Sequence, residues 1–407
     1  MGLDDSVVQP ALPRPLAHDR FPAFDGVRAL AVVSVVAYHA VFFNTNFHTP
    51  GGSFFGALTV SPWIFFVTSG CVLYLPFAAA HLRGAPAVDA VSYGVHRIAR
   101  VYPAYWLVLV FFTVVVPRIN IYGFTGFLLH TSLTQTYTHI NPFVDGLPPA
   151  WSLVVEISFY VFLPFYGLLI AGLARPSRRP LAVELGGLAV LFAFGIVAIV
   201  ALGNGLDAPW VTVLPQHLGA FALGMLLAVV HTYPWSAEAA ARVERVGRDA
   251  WIWWSGALAA FVAIPVVLRL DPLSAPNTVQ AIGLNLCQIL VGLCIVVPAV
   301  LGPQDRGTIR RMLRSRPAVY LGLVSYGIYL WHWYILRIVA DWFGWPLYHG
   351  NWIVVFAVAL AISVLAASVS WYGLERPVMR FARRFGRSSI GRVSVPDARD
   401  RHARHDA

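Results

Sequence analysis

A chain of 407 residues that is 58% hydrophobic and only 12% charged, with a mean hydropathy of +0.67, falls outside the range of soluble domains, which carry about a quarter charged residues. Lipid is the solvent that suits this composition. The net charge of +10 does not call for a nucleic-acid partner, because the basic residues sit in short connections between apolar runs, where membrane topology accounts for them.

Residues 1–23 hold Asp4, Asp5 and four prolines but no apolar core, so they read as a cytosolic tail rather than a cleaved signal peptide. Crossing a bilayer takes about 20 apolar residues. The runs long enough are roughly 24–43, 56–79, 101–117, 152–173, 182–202, 211–231, 251–268, 280–300, 319–340 and 352–372. A weaker run over 119–136 is interrupted by Gly123, Gly126 and His130. Basic clusters at 81–100, 175–179, 242–248, 306–316 and 376–392 alternate with connections that hold one Arg and four Asp among them (44–53, 137–150, 203–210, 269–279 and 341–351). All basic clusters share the cytosolic side only if 119–136 dips in and returns. A re-entrant or interfacial segment is therefore expected there, with its irregular backbone buried in protein or lining a cavity. The expected architecture is an all-α polytopic protein of the plasma (inner) membrane with about ten transmembrane helices and both termini cytosolic. Its transmembrane domain covers 24–380, followed by a basic tail over 381–407 with the composition of disorder. Cys71, Cys287 and Cys294 lie inside apolar runs and point to packing rather than to a disulfide or a metal site.

An ionisable side chain at mid-bilayer costs about 2.5–3.5 kcal/mol or more, so each one calls for a reason. The first span, FDGVRALAVVSVVAYHA, holds Asp25, Arg28 and His39. At about 100° per residue, Arg28 and His39 lie within about 20° of each other, with Asp25 about 40° to the other side. His39 stands about 16 Å further along the helix than Arg28. It either hydrogen-bonds a neighbouring helix or works in a site. In VHRIARVYPAYW, His96, Arg97 and Arg100 sit in a cytosolic loop entering a span, which fits snorkelling side chains or a phosphate-binding step.

In PPAWSLVVEISFYVFLP, Ser152, Glu156, Phe159 and Tyr160 share one helical face. Glu156 is expected at the depth of His39, as its hydrogen-bonded acid–base partner; the alternative is that Ser152 caps the helix and Glu156 complements its positive end. SYGIYLWHWYI aligns Ser325, Tyr329, His332 and Leu336. Glu375, in WYGLERPVMR, ends the last span and is expected to pair an arginine such as Arg28 or Arg97.

At these residues the chain resembles acyltransferase family 3 of bacterial membrane proteins. Five segments match in family order: FDGVRALAVVSVVAYH, FFVTSG, RIARVYPAYW, WSLVVEISFY, and SYGIYLWHW with ERP, together spanning Phe24 to Arg380. The resemblance implies transfer of an acyl group, usually acetyl, from cytosolic acyl-CoA to a hydroxyl on an envelope carbohydrate, glycolipid or small product. Acyl-CoA is then a co-substrate, and neither a bound cofactor nor a metal is implied. The family's essential histidine and arginine of the first span carry over to His39 and Arg28, and its WSLxxExxFY glutamate to Glu156. Its basic motif carries over to Arg97 and Arg100, with His96 where a further arginine is common. Asp25, Ser152, Tyr160, Tyr329, His332 and Glu375 are the supporting residues. A transporter or flippase of a lipid-linked or small polar substrate is the alternative, since intramembrane charges and a re-entrant segment suit that class as well. Acyl-CoA-dependent chemistry separates the two.

Overall fold

The computed structural model describes residues 21–138, 146–203 and 212–385, which are helical with no β-strand among them. Most of the expected N-terminal tail (residues 1–20), most of the expected basic tail (386–407) and parts of the connections 137–150 and 203–210 lie outside the described residues.

In chain order the helices are α1 (Phe24–Thr45), α2 (Gly52–Gly56), α3 (Ser61–Arg83), α4 (Ala90–Val110), α5 (Gly123–Ser132), α6 (Trp151–Ala174), α7 (Pro180–Leu202) and α8 (Leu214–Thr232). They continue as α9 (Ala237–Arg248), α10 (Ala250–Val266), α11 (Thr278–Val300), α12 (Thr308–Leu313), α13 (Arg316–Leu323), α14 (Ser325–Trp342), α15 (Trp352–Ser370) and α16 (Arg376–Ala382).

Among the described residues, eight helical stretches are long and apolar enough to cross a bilayer, and a ninth is added if α9 and α10, bent by 54° at their junction, form one span. The difference from ten lies in the run 319–340. The chain breaks there at Val324, where Ser325 Oγ donates to the Gly322 carbonyl, giving the short α13 and the 18-residue α14. Helix α14 has the length of a span but carries His332, Arg337 and Asp341, and it packs against α1 and α15, so it is set within the bundle, where ionisable side chains face protein rather than lipid.

The segment 119–136 does not cross. Helix α5 has 10 residues, a length of about 15 Å against a hydrocarbon layer of about 30 Å. Its last turn is tied to α4, whose Tyr105, Trp106 and Tyr102 side chains donate to the carbonyls of His130, Thr131 and Ser132. Those bonds satisfy the C-terminal backbone that lipid cannot, while Phe124 and Phe127 remain exposed on the outer face.

Close helix crossings use small residues. Gly224 of α8 lies on the backbone of Val67 and Cys71 in α3, and Gly322 of α13 on the backbone of Asp25 in α1; a Cβ at either would collide. The other end of α1 is held by the Tyr348 N–H, which donates to the Phe43 carbonyl at 2.7 Å. The end where α1 begins also gathers Arg97, Arg100 and Arg310 and is called the basic end below. Arg310 is 2% exposed and donates to the carbonyls of Gly247, Arg248, Pro298 and Leu301. It is thus a staple between α9, α11 and α12 rather than one more loop charge. The three cysteines are free; Cys71 and Cys294 are buried and Cys287 is half-buried.

Candidate functional site

A chamber of about 280 Å³ opens among α1, α3, α4, α6 and α14. Its polar lining is Asp25 and Arg28 from α1, Thr68 and Ser69 from α3, Arg97 and Arg100 from α4, Ser152, Glu156 and Tyr160 from α6, and Ser325, Tyr326 and Tyr329 from α14. Helical spacing explains the convergence: Ser152, Glu156 and Tyr160 follow at i, i+4 and i+8 and therefore share a face. His39, His332, His96 and Glu375 are not among the lining residues.

Glu156 does not meet His39. Its Oε1 accepts from Ser69 Oγ at 2.9 Å and from Tyr160 OH at 2.5 Å, and it faces the same chamber as Arg28 and Arg97. The expected acid–base pair is not formed: two O–H donors, one on the neighbouring helix and one a turn away, hold one oxygen of the carboxylate, while His39 is engaged with His332. Ser152 is not a cap either. Helix α6 begins at Trp151 without a side-chain cap bond, and Ser152 Oγ lies 2.8 Å from Tyr329 OH.

Glu375 pairs with Arg100 rather than with Arg28 or Arg97. A π-helical turn over Trp371–Glu375 carries its carboxylate toward α4, where Arg100 is 3.7 Å away, and Ser370 Oγ donates at 3.1 Å. Arg100 also lies over the rings of Trp371 and Tyr326. Arg97 is placed differently. It has no carboxylate within ion-pair distance among the described residues. Its guanidinium lies over the rings of Tyr93 and Tyr160, at 5.7 and 5.8 Å, and its Nε has no hydrogen-bond partner. Arg97 is therefore the less compensated cation, with donors left for an anion.

The segment bearing these arginines is helix, not loop, because Asp89 accepts the N–H groups of Val91 and Ser92 and starts α4 early. His96 Nδ1 donates to the Ser92 carbonyl at 2.6 Å, which ties its ring to its own helix and away from the chamber.

Tyr329 joins the chamber to the two histidines. Its O–H donates to the Pro149 carbonyl, which leaves its oxygen to accept from Ser152 Oγ. Its backbone carbonyl lies 2.7 Å from His332 Nδ1. A carbonyl only accepts, so Nδ1 of His332 carries a proton, and the neutral ring presents the lone pair of Nε2. His39 Nδ1 is 3.0 Å from that Nε2 and is the donor. With both rings neutral, the unprotonated position of His39 is Nε2. His332 is fully buried, whereas His39 is only partly so, with Trp333 and Tyr38 against its ring at 4.8 and 4.9 Å.

Sequence reasoning did not single out Ser69, the second donor to Glu156. Its signal was present in FFVTSG, but Thr68 and Ser69 are adjacent hydroxyls in an apolar run and carry no periodicity to mark either.

A family model described as an acyltransferase domain, that of acyltransferase family 3, matches residues 21–371. Among curated proteins, the chain is 25% identical to YrhL of Bacillus subtilis, named as a candidate peptidoglycan O-acetyltransferase, over 89% of this chain and 55% of that protein. It is 22% identical to the O-acetyltransferase OatA of Staphylococcus aureus, over 88% of this chain and 57% of that protein. The chain thus spans little more than half the length of these relatives. No solved structure matches it.

Proposed function

Because the chain belongs to acyltransferase family 3, we propose that it is a membrane-embedded O-acyltransferase. It moves an acyl group, usually acetyl, from cytosolic acyl-CoA to a hydroxyl of an envelope carbohydrate, glycolipid or related small molecule. The observation that carries this reading is a linked series: an arginine-lined chamber at the basic end, then the Ser152–Tyr329 pair, then the His332–His39 pair.

The phosphates of CoA dock at Arg97, with Arg100 and Arg28 adding positive potential. The pantetheine arm runs up the chamber toward His39, which stands about 16 Å beyond Arg28 on α1. The acceptor hydroxyl attacks the thioester carbonyl while His39 Nε2 takes its proton. A C–O bond forms; on collapse of the tetrahedral intermediate the C–S bond breaks, and the proton passes from His39 to the departing thiolate. His332 holds His39 in the tautomer that this step needs. Tyr329 and Ser152 have their hydroxyl protons committed, so they hold His332 in place rather than serving as oxyanion donors. Glu156, fixed by Ser69 and Tyr160, orders the chamber wall beside Arg28 and Arg97.

The test is CoA release from acetyl-CoA by the purified protein in liposomes, with an envelope extract of lipids and sugars as acceptor. Release that needs both the extract and His39 is expected. Unimpaired release by His39→Ala, or transport of an unmodified lipid-linked sugar without any release, would overturn the reading, the latter in favour of a transporter.

A further inference from the structure

A charge cluster that this chemistry does not use lies just beyond the histidine pair, away from the basic end. Trp333 touches His39 and Phe43, with ring centroids 4.8 and 4.7 Å apart, and the Arg337 guanidinium carbon lies 5.6 Å from the Phe43 centroid. Phe43 and Arg337 each follow their neighbour in this stack, His39 and Trp333, by four residues. They therefore sit about one helical turn, or about 5–6 Å, further out.

Arg337 Nη2 reaches Asp341 at 3.4 Å, and Arg118 reaches the same carboxylate at 2.9 Å. Two guanidinium groups share one acid, which leaves a local surplus of positive charge. Nη1 of Arg337 has no hydrogen-bond partner among the described residues, and the side chain is 23% exposed, so the guanidinium keeps an unspent donor on a side chain that a ligand can reach. The location sharpens the point, since membrane proteins with cytosolic basic clusters carry few cations at the opposite end. A guanidinium with unused donors recognises carboxylates and phosphates through paired N–H bonds.

We propose that Arg337, with Arg118 and Asp341, forms an anion subsite that holds a carboxylate or phosphate group of the hydroxyl-bearing acceptor one turn from His39. Asp341 is the built-in counter-ion that the acceptor's anionic group displaces. The identity of this ligand as the acceptor rests on the acyl-transfer reading; its charge does not.

The experiment uses the full chain in phosphatidylcholine vesicles and measures equilibrium binding of three labelled probes. These are N-acetylmuramic acid, which bears a carboxylate, glucosamine 6-phosphate, and neutral N-acetylglucosamine. At least one anionic probe is expected to bind more tightly than the neutral sugar. Arg337→Gln weakens that binding by about tenfold, Arg337→Lys retains most of it, and Asp341→Asn, which removes the competing carboxylate, strengthens it. The neutral sugar follows none of these changes. Equal binding of charged and neutral probes, including no binding of either, overturns the proposal. So does a response only to replacing phosphatidylcholine with phosphatidylglycerol, which would assign the cations to a lipid headgroup. CoA release is followed in the same vesicles: its absence with anion binding intact would sink the acyl-transfer reading and leave the anion subsite standing.

Discussion

His39 and His332 lie 293 positions apart in the chain and meet with Nδ1 and Nε2 at 3.0 Å, across the contact between α1 and α14. The direction of that bond is inherited from the Tyr329 carbonyl, which fixes the proton on His332 Nδ1. A base is useful only in the tautomer that presents its lone pair, so in the proposed mechanism the part of His332 is to position His39. His39→Ala is expected to lower kcat by about 10²–10⁴-fold, the range of a general base, and His332→Ala by less. The double variant should lose no more than His39→Ala by itself, because two groups acting as one unit are not additive. Steady-state CoA release of the four proteins tests this; additive losses would separate the two histidines.

Glu156 is held by two hydroxyls on a single oxygen, Ser69 Oγ and Tyr160 OH. Ser69→Ala or Tyr160→Phe removes one donor and leaves the other, so each is expected to reduce activity about tenfold, near the lower end of the roughly 1.5–3 kcal/mol that a bond to a charged group contributes. The two together should approach the effect of Glu156→Gln. Activity of the double variant equal to wild type would show that the position of Glu156 does not matter to turnover.

Two of the three chamber arginines, Arg97 and Arg100, are predicted to fail differently. Among the described residues Arg97 has no acid within ion-pair distance and its Nε is unpaired, so Arg97→Ala should raise the KM for acyl-CoA with little change in thermal stability. Glu375 is buried and 3.7 Å from Arg100, so breaking that pair from either side leaves a poorly compensated charge, which costs on the order of 3 kcal/mol. Glu375→Gln is expected to lower Tm, and Glu375→Gln with Arg100→Met to recover part of it. Unfolding in detergent, run beside the kinetic assay, separates the two behaviours.

What was legible in the sequence follows the range of each physical signal. Apolar runs and loop charges mark spans and connections because each is a local property, and helical periodicity placed Ser152, Glu156 and Tyr160 on one face correctly. Which faces meet is not local. Equal depth in the two spans suggests Glu156 as the partner of His39, yet packing gives His39 to His332 and Glu156 to Ser69. Glu375 likewise reached Arg100 through a π-helical turn, whose extra residue per turn shifts a side chain in a way that 3.6-residue spacing does not anticipate. The break at Val324 was hidden for a similar reason: the run 319–340 is apolar enough to read as one span, and only the Ser325–Gly322 bond and the packing of α14 on α1 and α15 divide it.

Arg310 supplies a prediction about folding alone. Its guanidinium donates to four backbone carbonyls, those of Gly247, Arg248, Pro298 and Leu301, which come from the junction of α9 and α10 and the end of α11. Helix C-termini leave carbonyls without intrahelical partners, and here one buried cation satisfies several at once. Arg310→Met keeps most of the side-chain volume and removes every donor, so those carbonyls are left buried and unmet at a cost of about 1–3 kcal/mol for each group that water does not reach. A marked fall in Tm is expected in detergent. Arg310→Lys should recover only part of it, since an ammonium lacks the planar fork that reaches carbonyls on both sides. The residue lies outside the chamber lining, so the protein that remains folded should keep its KM for acyl-CoA. A normal Tm with a raised KM would instead move Arg310 from the scaffold to the donor site.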